Sequence, residues 1–264
     1  MLLRRLAKFL IGALVIIAGF SLFCLGNSFC GLKDKGRAQA QAHYMMGLFY
    51  ENQDKFDEAI GEYNEAVRLE KEIPAIHLHL ATSLIRKGDF NKAQEELEQV
   101  KALAPDNIEA GLILGLLYTT QNKSKEAVLE YEEVFKKASL AQPENIDILK
   151  SLAAIYYQQK KIENAISTYK LILDIDKNDY EAIFMLGSLL EGKGERPEAI
   201  NKFQEALKLN PDYPDALNSL GYVYAEDGRN LSEAEGLIKR AITYEPDNGA
   251  YIDSLGWAYY KLGR

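Results

Sequence analysis

Small residues recur through this chain at intervals of about 34 residues, and no other feature restricts its fold as strongly. One series is Gly47, Ala81, Gly115, Ala153, Gly187, Gly221 and Gly256. A second, Ala59, Ala93, Ala127, Ala165, Ala199 and Ala234, follows the first by 12 residues each time, with 13 in the last case. Four positions beyond each alanine stands an aromatic or aliphatic residue: Tyr63, Leu97, Tyr131, Tyr169, Phe203 and Ile238. Such self-similarity marks an array of one supersecondary unit, which buries its apolar face only by stacking on its neighbours. The small residue of the first helix and the alanine of the second are expected at the helix crossing, where a larger side chain would push the pair apart. Gly88, Gly194 and Gly228 are expected in the short turns, where a left-handed backbone costs glycine little.

The string M-G-L-F-Y at 46–50 reappears as L-G-L-L-Y at 114–118, L-A-A-I-Y at 152–156, L-G-Y-V-Y at 220–224 and L-G-W-A-Y at 255–259, and Pro105, Pro211 and Pro246 close their units. This pattern resembles the tetratricopeptide repeat, W-x2-L-G-x2-Y followed by A-x3-F and then P. The resemblance implies an all-α fold, a right-handed superhelical solenoid of antiparallel helix pairs. Its repeats would fall at about 40–73, 74–107, 108–145, 146–179, 180–213 and 214–248, with a half repeat at 249–264. Three departures stand out: Pro74 comes late, Lys177 replaces a closing proline, and residues 137–143 lengthen the third linker.

Ahead of the array, residues 1–32 form a basic start and an apolar run, and residues 33–39 read as a linker. Residues 9–26 carry no charge. This stretch is longer than the usual core of a secretory signal, which favours a retained transmembrane helix over a cleaved leader. Lys/Arg residues are balanced across it, Arg4, Arg5 and Lys8 before against Lys33, Lys35 and Arg37 after, so only the amino terminus itself favours an inside start and an extracytoplasmic body. Export after signal cleavage and anchoring on the cytoplasmic face remain alternatives. Both cysteines, Cys24 and Cys30, lie in or beside this run, so the body has no disulfide framework. Apolar segment and repeats together resemble bacterial envelope proteins.

The formal charge is -8, and residues 1–37 are net basic, so the body is strongly acidic. An acidic body without a basic stripe disfavours nucleic acid as a partner. No phosphate-cradling glycine loop, nucleophile elbow or H-E-x-x-H string is present. The two histidines closest in sequence, His77 and His79, point apart on a helix, and Glu95-Glu96 and Glu132-Glu133 read as solvated outward pairs. No enzymatic activity, cofactor or metal is therefore expected.

In the resembled family the first helix of each pair lines a concave groove that holds a protein or peptide partner. Carried over position by position, this implies Tyr44, Leu48 and Glu51; Leu78, Thr82 and Ile85; Leu112, Leu116 and Thr119; Lys150, Ala154 and Tyr157; Phe184, Ser188 and Glu191; Asn218, Tyr222 and Ala225; and Trp257 with Tyr260. About half of these are expected to pack against neighbours instead, whereas Glu51, Lys150, Glu191 and Asn218 are expected to be exposed. Only Lys150 and Asn218 supply polar donors in the register of the family's carboxylate clamp, so that clamp is not expected. Residues 249–264 supply one helix of a seventh unit without a second, which suggests truncation, a covering partner, or self-association through an uncapped terminal repeat. The function expected is a non-catalytic interaction scaffold at a membrane. The rival is a regulatory or substrate-docking region of a larger enzyme or complex whose catalytic part lies elsewhere.

Overall fold

The structure, a computed structural model, describes residues 35–264. The expected N-terminal anchor or signal at 1–32 lies outside the described residues. Within them, no helix is long and apolar enough to cross a membrane. The described residues form thirteen helices and no strand. In chain order they are α1 (Lys35–Glu51), α2 (Phe56–Leu69), α3 (Pro74–Lys87), α4 (Phe90–Leu103), α5 (Ile108–Thr120), α6 (Ser124–Ala141), α7 (Ile146–Gln158), α8 (Ile162–Ile175), α9 (Tyr180–Gly192), α10 (Arg196–Leu209), α11 (Pro214–Glu226), α12 (Leu231–Tyr244) and α13 (Gly249–Lys261). They fall into two compact units, Met1–Ala138 and Ser139–Arg264. In each unit consecutive helices pack as hairpins, and each hairpin packs on the next.

The recurring small residues act at the crossing of each hairpin, but their main neighbour is the large residue four positions beyond the alanine. A Cβ built on Gly47 would meet the Tyr63 ring at 2.3 Å, one on Gly115 the Tyr131 ring at 2.5 Å, and one on Gly187 the Phe203 ring at 2.9 Å. At Gly221 the neighbours are Ile238 at 2.7 Å and the Ala234 carbonyl at 3.0 Å. Glycine thus admits a ring edge that would otherwise hold the helices apart. Tyr63, Phe203, Leu97 and Ile238 are almost completely buried, and Ala59, Ala93, Ala199 and Ala234 lie beside them in the cores. Truncating such a ring to alanine costs about 3–5 kcal/mol.

Every hairpin turns through a left-handed residue, and the α11–α12 turn adds a second, Asn230. Gly88, Gly194 and Gly228 fill this place, as their chemistry predicts, and Asp54, Asn122 and Lys160 take the same role in the other turns. The hydrogen bonds repeat as well: Lys160 N donates to the Tyr157 carbonyl and Lys161 N to the Tyr156 carbonyl, as Gly194 N does to Glu191 and Glu195 N to Leu190. This arrangement satisfies carbonyls that the helix end leaves open. First helices are often capped by the side chain before them, with Asn107, Asn145 and Asp179 accepting from Ala110, Ile148 and Ala182.

Four local readings change. The extra residues at 137–143 extend a helix more than a linker: α6 runs 18 residues to Ala141. Pro74 does not close a unit late; it opens α3, a position where its missing N–H is harmless. Residues 35–39 are helical, the first turn and more of α1. Glu132 and Glu96 are not solvated outward residues. The Glu132 side chain is nearly buried against Lys136, and Glu96 reaches His77.

Candidate functional site

The second unit contains a cleft of about 360 Å³ lined by Tyr157, Ser188, Glu191, Phe203, Asn218, Ser219, Tyr222, Val223, Ala250 and Ser254. The first helices of four consecutive repeats build it: α7 supplies Tyr157, α9 Ser188 and Glu191, α11 Asn218, Ser219, Tyr222 and Val223, and α13 Ala250 and Ser254. The 34-residue period explains why they meet, since Tyr157 and Glu191, and likewise Ser188 and Tyr222, hold the same place in successive units. Phe203, held under Gly187, contributes from α10.

Two rings dominate the rim. Tyr157 is 54% exposed and Tyr222 38%, a large accessible aromatic area for a helix surface. Burial, reinforced by the charges of Glu226 and Glu191, pushes the Tyr222 hydroxyl above its ordinary pKa. Ser188 and Ser254 donate their hydroxyl protons back to the Phe184 and Ala250 carbonyls of their own helices. The buried side-chain oxygen of Asn218 has no hydrogen-bond partner. Glu191 makes no ion pair or hydrogen bond through its carboxylate among the described residues, although Lys193 nearby is taken by Glu163 and Glu195. No Lys or Arg lines the cleft.

The other expected groove residues have different surroundings. Leu112 and Phe184 are buried: Leu112 faces inward on a helix apolar on nearly every side, and Phe184 packs edge-on against Tyr213, with ring centroids 5.1 Å apart. Both belong to the core. Lys150 is only partly exposed, because it pairs with Asp179 at 2.8 Å and Glu181 at 3.0 Å. Leu78, Ile85, Tyr44 and Leu48 pack against the first unit's core, with Tyr44 in ring contact with Tyr63 and His79. Leu116 is partly open to solvent. Trp257 packs on the second unit's core and stacks on the exposed Tyr260 at 5.3 Å, with the Lys261 ammonium 4.9 Å from its ring.

Glu51 is a hub rather than a free carboxylate. It accepts from the Tyr63 hydroxyl at 2.5 Å, pairs with His79 Nδ1 at 3.0 Å and receives a longer contact from Thr82. Burial pulls its pKa up, but the hydrogen bonds from His79 and Tyr63 outweigh this and hold it below the usual carboxylate value. The same unit binds its other two histidines to carboxylates, His43 to Glu62 and His77 to Glu96, both at 2.6 Å. The place that Glu191 holds in its repeat is thus held in an earlier one by Glu51, a carboxylate already satisfied internally.

Ser219, Val223, Ala250, Ser254 and Phe203 are cleft residues that the repeat register does not single out. Ala250 and Ser254 line the cleft beside the larger residues of α11, and their shortness is the only signal of this in the sequence.

Residues 52–117 and 146–179 match models described as tetratricopeptide repeat, and residues 192–228 one described as TPR repeat. The chain belongs to the tetratricopeptide repeat family. Among curated proteins it is similar to BBSome complex member BBS4 of Bos taurus, 26% identical over 208 residues, a match covering 79% of this chain. The chain spans about 39% of that relative's length. Among solved structures it shares its fold with a tetratricopeptide repeat protein from Parabacteroides merdae, at TM-score 0.54, 22% identity and coverage of 72% of this chain and 73% of that one. It also shares it with YrrB, a TPR protein with an unusual peptide-binding site, at TM-score 0.52, 23% identity and coverage of 73% and 96%.

Proposed function

We propose that this chain is a non-catalytic scaffold that holds an extended segment of another protein in the cleft between Tyr157 and Tyr222. The observation that carries the proposal is the cleft itself: two open tyrosine rings flank an unpaired carboxylate, Glu191, and an amide with an unsatisfied oxygen, Asn218. Aromatic anchors surrounded by polar groups lacking internal partners suit recognition of a peptide, whose main chain offers donors and whose side chains offer area. The bovine relative is described as a complex member, which supports a scaffold role. The uncharged run at residues 9–26 supports a membrane tether, and the amino terminus alone favours placing the repeats on the extracytoplasmic side.

A photo-crosslinking residue placed at Tyr157 or Tyr222 in the cell should capture a protein, whereas one at Leu171, exposed on the second helix α8, should not. Equal capture at Leu171, or none at the cleft, contradicts the proposal.

A further inference from the structure

Three cations near the second unit's cleft are already paired. Lys150 is held by Asp179 and Glu181, Arg196 by Glu226 and Asp227, and Lys193 by Glu163 and Glu195. Glu191, the charged residue of the cleft lining, is half-buried and has no ion pair or hydrogen bond among the described residues. A carboxylate without an internal partner is free to pair with a cation brought to it.

The rest of the lining points to the same ligand chemistry. Ser188 and Ser254 have spent their protons on their own helices, so toward the cleft their oxygens serve as acceptors. The rings of Tyr157 and Tyr222 present π-faces that attract a cation. No Lys or Arg lines the cleft to repel one, and Arg196, in range of Tyr222, is already paired with Glu226 and Asp227. An anionic peptide would find no positive partner there.

We infer that the cleft selects a peptide segment carrying an arginine or lysine, whose cationic head pairs with Glu191 between the rings of Tyr157 and Tyr222. This rests on the proposed peptide-binding role and adds the charge of the ligand to it. Arginine fits best, because its five donors in a planar fork can serve the carboxylate and the surrounding acceptors together while its face lies on a ring.

The test uses the full chain and a library of random dodecapeptides with blocked termini, which removes any contribution from terminal charges. Peptides retained by the wild-type chain should be enriched in Arg and Lys at one position and should crosslink to a probe at Tyr222. Glu191→Gln should bind those peptides about five- to tenfold more weakly, and Glu191→Lys should lose the Arg/Lys enrichment. The Gln variant keeps the size of a side chain that has no internal partner, so the fold is preserved; an unchanged circular dichroism melt confirms this. Peptides that crosslink at Tyr222 without a cationic preference, or that bind Glu191→Gln equally well, overturn the inference and leave the peptide-binding role standing. Retention without any cleft crosslink overturns both.

Discussion

The Tyr63 ring fills the space beside Gly47, so that a Cβ added to the glycine would lie 2.3 Å from the ring's Cε1. The same fit joins Gly115 to Tyr131 and Gly187 to Phe203, and it turns a periodic sequence feature into a mechanical rule of the hairpin. Gly256 stands in the same series, but nothing lies within 4 Å of the place a Cβ would take there.

The contrast between those glycines predicts substitutions of opposite sign. Gly115→Ala should destabilise the chain by about 1–2 kcal/mol, since overpacking outweighs the better helix propensity of alanine. Gly256→Ala, with open space around it, should stabilise by about 0.5–1 kcal/mol. Urea midpoints of the two variants against the parent check both, and a stabilising Gly115→Ala would contradict the packing rule.

Lys160 predicts a second gain. It occupies the left-handed turn position, φ 59°, that Gly88 and Gly194 fill in their own hairpins. A side chain in that region is strained, and Lys160 is exposed, so Lys160→Gly removes the strain at little packing cost. The melting midpoint should rise, corresponding to about 0.5–1 kcal/mol after the extra backbone entropy of glycine is counted.

His77 makes stability depend on pH. Nδ1 lies 2.6 Å from Glu96 and Nε2 2.8 Å from the Lys71 carbonyl, so both ring nitrogens face acceptors and the imidazolium form satisfies both. The hydrogen bond to Glu96 raises the pKa of His77 above 6.5, against a smaller opposing effect of burial. Because the folded state holds the proton more tightly than the unfolded chain, this contribution is complete below about pH 6.5 and is lost as pH rises through the raised folded value. The difference in urea midpoint between the parent and His77→Gln should therefore be largest at the acid end of that window and shrink above it. A difference that grows with pH would contradict the assignment.

The repeat is legible in the sequence because its signal is local and multiplied: small residues and the large residue beyond each alanine recur in nearly every unit, and turn glycines in half of them. Lys160 does not announce itself as a turn residue, because nothing in lysine's chemistry signals a left-handed backbone. Leu112 escapes correct placement for a different reason. Helix α5, I-E-A-G-L-I-L-G-L-L-Y-T-T, is apolar almost all the way round, so periodicity gives no face to the solvent. The Glu51 hub joins α1, α2 and α3 through residues 12 to 31 positions apart, and pairings at that range depend on packing that no local pattern encodes. Within the cleft, Tyr157, Glu191, Asn218 and Tyr222 follow from the repeat register; its depth, which depends on small side chains, does not.

Hydrogen–deuterium exchange of the full chain, with and without peptides retained from the random library, tests most directly whether the cleft holds a peptide. Added protection is predicted in α7, α9, α11 and α13, centred on Tyr157, Glu191, Asn218 and Tyr222, with α8, α10 and α12 unchanged on their outer faces. Protection confined to those second helices, or to the first unit, would contradict peptide binding in the cleft.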